Sequence, residues 1–160
     1  MKDNNLGDRK MKVSIATDHA GLEIKNELKA RLTKAGYEVV DYGTHDKTSC
    51  DYPDYALLAC EAVTNGEVDK GILVCMTGIG MSVAANKIKG IRAALVRDRE
   101  TARLTREHND SNVLVISGQF TPIDEAEEIC NIWLSTDFSG VERHARRIAK
   151  IAQIENKYFK

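Results

Sequence analysis

The amino-acid sequence predicts an α/β protein built as a single-domain, doubly wound, five-stranded parallel sheet with helices on both faces. Three observations lead to this prediction. Short β-type apolar runs alternate along the chain with segments whose apolar residues recur at helical spacing. The run from Gly71 to Cys75 is continuously apolar, which is typical of a strand buried on both faces. The chain of 160 residues, 42% of them hydrophobic, is long enough for one domain with its own core.

The first half of the chain contains two strand–helix units. A β-type run at 13–17 opens the first unit, and apolar residues at helical spacing then continue until Gly36 ends the helix. In the second unit, a strand at 37–42 is separated by a polar loop at 43–53 from a helix at 55–63. The apolar faces of these two helices are Ile24, Leu28, Leu32 and Ala35, and Tyr55, Leu58, Ala59 and Ala62.

The second half continues the alternation and closes with an extra helix. Strands followed by helices are predicted at 71–75 and 81–88, at 91–96 and 99–107, and at 113–117 and 124–134, before a last helix at 141–154. Parallel strands joined by helices require right-handed crossovers, so the fold is Rossmann-like. In such sheets ligands bind beyond the carboxyl ends of the strands, so chemistry is expected just after residues 17, 42, 75, 96 and 117.

Composition excludes several classes of function. The chain has 23 Lys+Arg and 24 Asp+Glu, a net charge of -1, and therefore lacks the basic excess of a protein that binds nucleic acid or an anionic membrane. No stretch approaches the roughly 18 apolar residues that span a bilayer, and no signal peptide is visible, so a cytoplasmic location is expected. The polar residues 1–10 are predicted to be a disordered leader, and residues 11–160 a single domain.

The four cysteines are expected to be free thiols and not metal ligands. Cys50, Cys60, Cys75 and Cys130 form no CxxC pair and have no histidine at zinc-ligand spacing, so no metal site is predicted. Cys75 differs from the others because it ends the central strand, beside the start of the next helix. The helix dipole there would lower the pKa of a thiol and favour a thiolate base. The alternative is a buried apolar side chain that only packs.

The segment from Met76 to Ser82 is the strongest local signal in the sequence. Its two glycines, Gly78 and Gly80, allow backbone N–H groups to approach an anion at the start of a helix. The anion could be a phosphate or an oxygen that becomes negative during a reaction. A tight strand-to-helix turn needs glycine in any case, so a structural role stays open. The segment matches neither the P-loop nor the GxGxxG pattern.

Titratable residues elsewhere carry similar alternatives. Asp18 and His19 follow the first strand, where they suit proton transfer or a hydroxyl-rich ligand, although Asp18 is equally suited to cap a helix. His108 follows the fourth helix and could be an acid/base, a cap or a surface residue. Arg143 and Arg147 share one helix face and suit a phosphate dianion, or could form a solvated surface near Glu142.

Taken together, these motifs resemble the type B ribose-5-phosphate isomerases, a family that also includes the galactose-6-phosphate isomerase subunits. The resemblance runs from about Met11 to the last helix. It rests on eight segments in order: Thr17-Asp18-His19-Ala20-Gly21, Asp41-Tyr42-Gly43-Thr44, Asp51-Tyr52-Pro53, Gly71 to Gly80, Ala84-Ala85-Asn86-Lys87, Gly90-Ile91-Arg92-Ala93, Arg106 to Asp110, and Arg143-His144.

The resemblance implies metal-free interconversion of ribose 5-phosphate and ribulose 5-phosphate through a cis-enediolate, with no cofactor. It implies that Cys75 is the base that moves the proton between C2 and C1, and that His108 helps to open the furanose ring. Thr77 and the amides of Gly78, Ile79 and Gly80 would hold the enediolate oxygen. The residues implied to contact the sugar or its phosphate are Asp18, His19, Tyr52, Asn109, Arg143 and Arg147. The family builds its site at a dimer interface, so the C-terminal helix is expected there, in a homodimer or a tetramer of dimers.

Two departures from the family pattern bear on substrate choice. Met76 stands where the family usually has glycine after the cysteine, and its side chain must point away from the sugar. Gln119 stands where many members have an arginine that helps to bind phosphate, and Arg146 could compensate for the missing charge. Two alternative functions are isomerisation of a hexose 6-phosphate such as galactose 6-phosphate, and sugar-phosphate binding without catalysis.

Overall fold

A computed structural model describes residues 9–159 and contains the predicted α/β sheet. The five strands are β1 (Lys12–Thr17), β2 (Glu38–Asp41), β3 (Lys70–Cys75), β4 (Ala93–Leu95) and β5 (Val113–Ser117). The six α-helices are α1 (Leu22–Lys34), α2 (Tyr52–Thr64), α3 (Ile79–Ala85), α4 (Arg99–Asn109), α5 (Ile123–Ser135) and α6 (Glu142–Tyr158). A short 3-10 helix at His19–Gly21, which the periodicity does not reveal, links β1 to α1.

All strand pairs are parallel, in the order β2-β1-β3-β5-β4. The chain moves outward from β1 to β2 on one side, while β3 lies on the other side of β1. The crevice where the winding direction changes therefore opens between the carboxyl ends of β1 and β3, which is where ligands bind in such sheets. Asp18 directly follows β1, and residues 75–80 comprise the end of β3, the turn after it and the start of α3.

Two apolar clusters cover the faces of the sheet and confirm the doubly wound architecture. Alternate side chains of β3 point to opposite faces, so Ile72 joins one cluster while Leu73 and Cys75 join the other. Helices α1, α4 and α5 pack on the first face, and α2 and α3 pack on the second. Cys75 therefore lies at the edge of the α2–α3 layer.

Several predicted boundaries are wrong by a few residues for local reasons. Helix α2 begins at Tyr52, inside the predicted polar loop, because Pro53 in the first turn of a helix loses no hydrogen bond. Helix α3 occupies 79–85 and not 81–88, since the turn before it ends at Gly78. Strand β4 is shorter than predicted, and the side chain of Asn86 bonds both the N–H and the C=O of Ala93, at 2.9 and 3.0 Å.

The two ends of the chain are described to different extents. Residues 1–8 of the predicted leader lie outside the described residues, and Arg9 pairs with Asp69 at 2.8 Å. Helix α6 lies against α4 and leaves four apolar side chains exposed, Val141, Ile151, Ile154 and Tyr158. None of the helices within residues 9–159 is sufficiently long and apolar to cross a membrane.

Candidate active site

A thiol and a carboxylate meet at the crevice between β1 and β3. The Cys75 Sγ atom lies 3.8 Å from Oδ2 of Asp18, and both residues are buried, at 7% and 6% exposure. The other carboxylate oxygen, Oδ1, accepts the N–H of Ala20 at 3.2 Å and caps the 3-10 helix. Asp18 is thus a cap, which confirms one alternative from the sequence, and its second carboxylate oxygen lies beside the thiol, so a role in proton transfer or sugar binding stays a prediction.

The electrostatic setting of Cys75 overturns one expectation. Burial raises the pKa of the Cys75 thiol, and the Asp18 carboxylate raises it further, because both disfavour a thiolate. The backbone N–H groups of Gly78, Met76 and Thr77 lower this pKa by a smaller amount. Helix α3 has only seven residues, so its dipole is too weak to outweigh burial and a neighbouring carboxylate. The predicted lowering of the thiol pKa is therefore wrong for the single chain.

The turn after Cys75 has the shape expected of an anion cradle. Gly78 has a φ of 81°, and a Cβ there would lie 2.5 Å from Cδ1 of Leu95, so only glycine fits. Ile79 donates its N–H to Oγ1 of Thr77 at 3.3 Å, which leaves the hydroxyl proton of Thr77 free to point elsewhere. The turn thus presents a hydroxyl donor beside the thiol.

The ring of Tyr52 packs directly on Gly80. A Cβ at Gly80 would lie 2.7 Å from Cζ of Tyr52, so the close contact requires glycine at this position. Tyr52 is at the start of α2 and is 37% exposed, and Ile79 is exposed beside the same turn. The structure therefore brings the predicted residues Tyr52 and Gly80 together at the mouth of the crevice.

His19 faces a cavity of about 410 Å³ that also contacts Gly118, Glu23 and Lys47. Its Nδ1 atom accepts the N–H of Cys50 at 3.2 Å and lies 3.8 Å from the Cys50 thiol. Sequence reasoning gave Cys50 no role beyond packing and did not consider Lys47. The loop that contributes Lys47 has no hydrophobic periodicity, so the sequence does not predict which of its charged residues line the cavity.

Three hydrogen bonds join residues 117–119 to the end of β3 and to Met76 after it. Gly118 donates its N–H to the carbonyl of Cys75 at 2.8 Å, and the carbonyl of Met76 accepts from the Ser117 hydroxyl at 2.8 Å and from Gln119 N–H at 3.1 Å. The side chain of Gln119 is exposed, and Met76 is half-exposed. Met76 and Gln119, the two residues that differ from the family pattern, therefore both lie beside Cys75.

The remaining predicted residues lie at the opposite edge of the sheet. Helix α4 runs back from the carboxyl end of β4, and His108 and Asn109 occupy its last turn, just before β5 begins. Val113 at the start of β5 pairs with Gly71, and Ser117 at its end pairs with Cys75. The four-residue advance from Val113 to Ser117 spans roughly 13 Å, which is therefore the distance between the two edges of the sheet. One chain therefore does not bring His108 to Cys75.

This second group is built on helix surfaces. The rings of His108 and His144 stack with centroids 4.2 Å apart and an interplanar angle of 10°. Arg143 and Arg147 are exposed, and within residues 9–159 neither forms a salt bridge. Arg146 pairs with Glu142 at 2.7 Å, so the charge that was expected to compensate for Gln119 is already partnered. The described residues contain no cluster of three or more groups suited to a metal ion.

Fold and site together define a class: a Rossmann-like α/β protein with a thiol–carboxylate pair at the switch point and two exposed arginines on its C-terminal helix. A sequence model of the Ribose/Galactose Isomerase family matches residues 13–151, so the chain belongs to that family.

Individual relatives agree with this assignment. The chain is 42% identical over 146 residues to ribose-5-phosphate isomerase B of Escherichia coli, covering 91% of this chain and 97% of the relative. The solved ribose-5-phosphate isomerase B of Clostridium thermocellum is 49% identical with a TM-score of 0.90, covering 92% and 99%. The Mycoplasma genitalium ribose-5-phosphate isomerase B, solved with bound ribulose 5-phosphate, is 40% identical with a TM-score of 0.87, covering 94% and 99%.

Proposed function

We propose that this protein is an aldose–ketose isomerase that interconverts D-ribose 5-phosphate and D-ribulose 5-phosphate in the cytoplasm, as a step of the pentose phosphate pathway. The observation that carries the proposal is the buried Cys75–Asp18 contact at the switch point of a chain in the Ribose/Galactose Isomerase family. The reaction as proposed needs no metal and no cofactor, because a base, an oxyanion cradle and a phosphate anchor are sufficient for proton transfer next to a carbonyl.

At the carboxyl edge, Cys75 acts as the base. The thiolate removes the proton from C2 of the open-chain aldose, and the electron pair of that C–H bond forms the C1–C2 double bond of the cis-enediolate while the carbonyl oxygen O1 becomes negative. The proton of the O2 hydroxyl then passes to O1, and the thiol returns its proton to C1, which leaves the C2 ketone. The Thr77 hydroxyl donates to the enediolate oxygen, since its own lone pair already accepts the N–H of Ile79. The N–H groups of Gly78 and Gly80 complete the cradle without that of Ile79, which is already donated to Thr77, and Asp18, His19 and Tyr52 contact the sugar.

The amino edge supplies the ring-opening and phosphate-binding residues from a second copy of the chain. His108 and Asn109 lie at the edge opposite Cys75, so a complete site requires two protomers. We propose a homodimer in which the amino edge of each protomer faces the carboxyl edge of the other, as an isologous interface allows. Pairs of such dimers would form the tetramer.

Exposed apolar side chains support this dimer. Apolar patches on a protein surface often mark interfaces. One patch lies on α6 and another surrounds the crevice mouth on α2 and α3. The exposed members are Val141, Ile151, Ile154 and Tyr158 in the first patch, and Tyr52, Leu57, Met76, Ile79 and Val83 in the second.

The phosphate of the substrate is bound by Arg143 and Arg147 of the second protomer. Their guanidinium groups have no salt-bridge partner among residues 9–159, and i,i+4 spacing places them on one helix face. Two guanidinium groups match the charge and geometry of a phosphate dianion. Gln119 adds a neutral hydrogen-bonding group in place of the charge that many family members have.

A hexose 6-phosphate is the second candidate substrate, because the family description includes galactose. The pentose is the first candidate because the compared relatives from Escherichia coli, Clostridium thermocellum and Mycoplasma genitalium are ribose-5-phosphate isomerases.

Isomerisation of ribose 5-phosphate in the presence of EDTA tests the proposal, with galactose 6-phosphate as the competing substrate. Wild type is expected to convert the pentose, and Cys75→Ala is expected to lose at least about a thousandfold in kcat, the scale of a positioned base. Cys60→Ala is the matched control, because that buried thiol in α2 is remote from the crevice. Full activity in Cys75→Ala would exclude Cys75 as the base. Binding of both sugars without turnover by wild type would point to a non-catalytic module.

A further inference from the structure

The stacked pair of His108 and His144 contains one ring that the proposed reaction does not use. His144 is on the first turn of α6 and is only 5% exposed, whereas His108 is on the last turn of α4. The rings are nearly parallel, with centroids 4.2 Å apart. Two rings at this distance fix each other's orientation, and two protonated rings at this distance would repel strongly.

The surroundings of His144 disfavour its protonated form. Burial lowers the pKa of His144, and the positive charges of His108, Arg143 and Arg147 lower it further, since each disfavours a second cation. On the other side of the pair, the Glu100 carboxylate lies close enough to His108 for the two charges to interact.

The other charged groups of α4 in this neighbourhood are partnered with each other. Arg103 bonds Glu100 and Glu107, each at 2.6 Å. The segment before α6 is joined to α4 by the N–H of Ser139, which donates to the carbonyl of Glu107 at 3.2 Å. Glu100 and Glu107 therefore belong to α4, the helix of His108, whereas Arg143 and Arg147, which flank His144, belong to α6 together with Glu142, which pairs with Arg146.

We infer that His144 is a positioning residue: its buried ring holds the imidazole of His108 by stacking, so that His108 is directed at the sugar bound in the partner protomer. The inference rests on the proposed function, in which His108 opens the furanose. In that step a proton leaves the C1 hydroxyl, the C1–O4 bond breaks, and O4 takes up a proton. The reaction is sensitive to the direction of the ring because proton transfer requires hydrogen-bond contact.

Two assays separate positioning of His108 from the chemistry at Cys75. Turnover of ribose 5-phosphate requires ring opening. Ribulose 5-phosphate has no furanose form, because its O5 carries the phosphate, so exchange of its C1 proton with deuterium from D2O requires only the thiol half of the site. The exchange assay is therefore an internal control for folding, dimerisation and phosphate binding.

The variants to compare are His144→Ala, which removes the stack, and His144→Phe, which keeps a stacked ring that cannot titrate. We expect His144→Ala to lose about tenfold to a hundredfold in kcat for ribose 5-phosphate, the cost of a misplaced catalytic group, with little change in KM. Its deuterium exchange rate should stay within about twofold of wild type, because exchange does not depend on the orientation of His108. His144→Phe should recover most of the ribose 5-phosphate turnover. By histidine NMR, the His144 ring should titrate below the range of an exposed histidine.

Three results would overturn the inference. Equal activity of His144→Ala and wild type would show that the stack positions nothing. Equal impairment of the Ala and Phe variants would show that an ionisable or hydrogen-bonding group at this position matters, and not stacking. Equal loss of exchange and turnover in His144→Ala would indicate damage to the whole site. Failure of the proposed function is separate, since wild type would then turn over neither pentose phosphate.

Discussion

The two edges of the sheet carry site residues of opposite character. At the carboxyl edge, Cys75 and Asp18 are buried at strand ends, and hydrogen bonds from residues 117–119 fasten the turn beside them. At the amino edge, Arg143 and Arg147 are exposed on a helix surface. In the proposed reaction, the groups that must meet the reacting carbons at a fixed distance are thus buried at strand ends, and the groups proposed to bind the phosphate are exposed on a helix.

The charges of the two edges are also complementary. The carboxyl edge places the Asp18 carboxylate beside the thiol, and the amino edge carries two guanidinium groups without salt bridges inside residues 9–159. In the proposed dimer, these opposite charges would face each other across the shared site. Each edge carries half of the proposed chemistry, and this difference between the edges is the reason for proposing a dimer.

Mixing two inactive variants gives the largest expected effect and tests whether the edges cooperate across protomers. Cys75→Ala and His108→Ala are each expected to have little activity alone. After the subunits are exchanged at equal concentration, half of the dimers are mixed, and each mixed dimer has one intact site out of two. Activity should therefore rise from near zero to about a quarter of the wild-type rate per protomer. A steady-state isomerase assay before and after exchange measures the gain.

The control for this experiment combines both substitutions in one chain. Mixing the double variant Cys75→Ala/His108→Ala with His108→Ala gives no intact site under the proposed arrangement, so no activity should return. If the two single variants also fail to regain activity although exchange is verified by mass spectrometry, the edges do not combine across protomers and the proposed dimer is wrong.

Substitution of the two arginines sharpens the comparison at the amino edge. Each charged hydrogen bond to the phosphate is expected to contribute about 1.5–3 kcal/mol, so Arg143→Gln and Arg147→Gln should each raise KM for ribose 5-phosphate about tenfold to a hundredfold. The loss should appear mainly in KM if the arginines hold substrate and transition state equally. Arg146→Gln is the matched control, because Arg146 pairs with Glu142 on the same helix, and its KM should change less than twofold.

An equal effect of all three substitutions would mean that the helix contributes only general positive charge. In that case the KM of each variant should also depend equally on ionic strength. A larger effect for Arg143 and Arg147 that persists at high salt would support direct contacts with the phosphate.

The sequence was more informative about the carboxyl edge than about the amino edge. Strand-end residues such as Asp18 and Cys75 could be predicted to meet because the carboxyl ends of parallel strands share one edge. The position of His108 at the other edge could also be predicted, because the helix after the fourth strand must return antiparallel to the strands. The resemblance to the family places His108 and Cys75 in one site without saying which protomer supplies each. The contact between Cys50 and His19 could not be predicted, since it depends on the path of a loop without periodicity.

Energetic properties were harder to predict than positions. The pKa of Cys75 depends on burial and on the distance to Asp18, and neither quantity is visible in the sequence. The sequence does predict a helix dipole beside Cys75. The dipole alone predicts a lowered pKa, which is wrong because burial and the Asp18 carboxylate have the larger effect. The stacking partner of His108 was also missed, although His144 is next to Arg143 in a family motif, because stacking requires the packing of α6 on α4.

The smallest expected effect concerns the pH dependence set by the carboxyl edge. Burial and the Asp18 carboxylate raise the pKa of the Cys75 thiol, so the thiolate becomes populated only as pH rises. The kcat/KM for ribose 5-phosphate should therefore increase as pH rises through this pKa. Asp18→Asn removes the negative charge while its amide oxygen can still cap Ala20, so the rising limb of the profile should move to lower pH.

A pH profile of kcat/KM for wild type and Asp18→Asn measures this shift, and iodoacetamide labelling of Cys75 against pH measures the thiolate directly. Both midpoints should move in the same direction, whatever the variant does to substrate contacts, because a midpoint does not depend on the height of the profile. Unchanged midpoints in both measurements would show that the Asp18 carboxylate does not raise the thiol pKa. The carboxyl edge would then owe its chemistry to the rigid strand end, with Asp18 acting as a cap and a sugar contact.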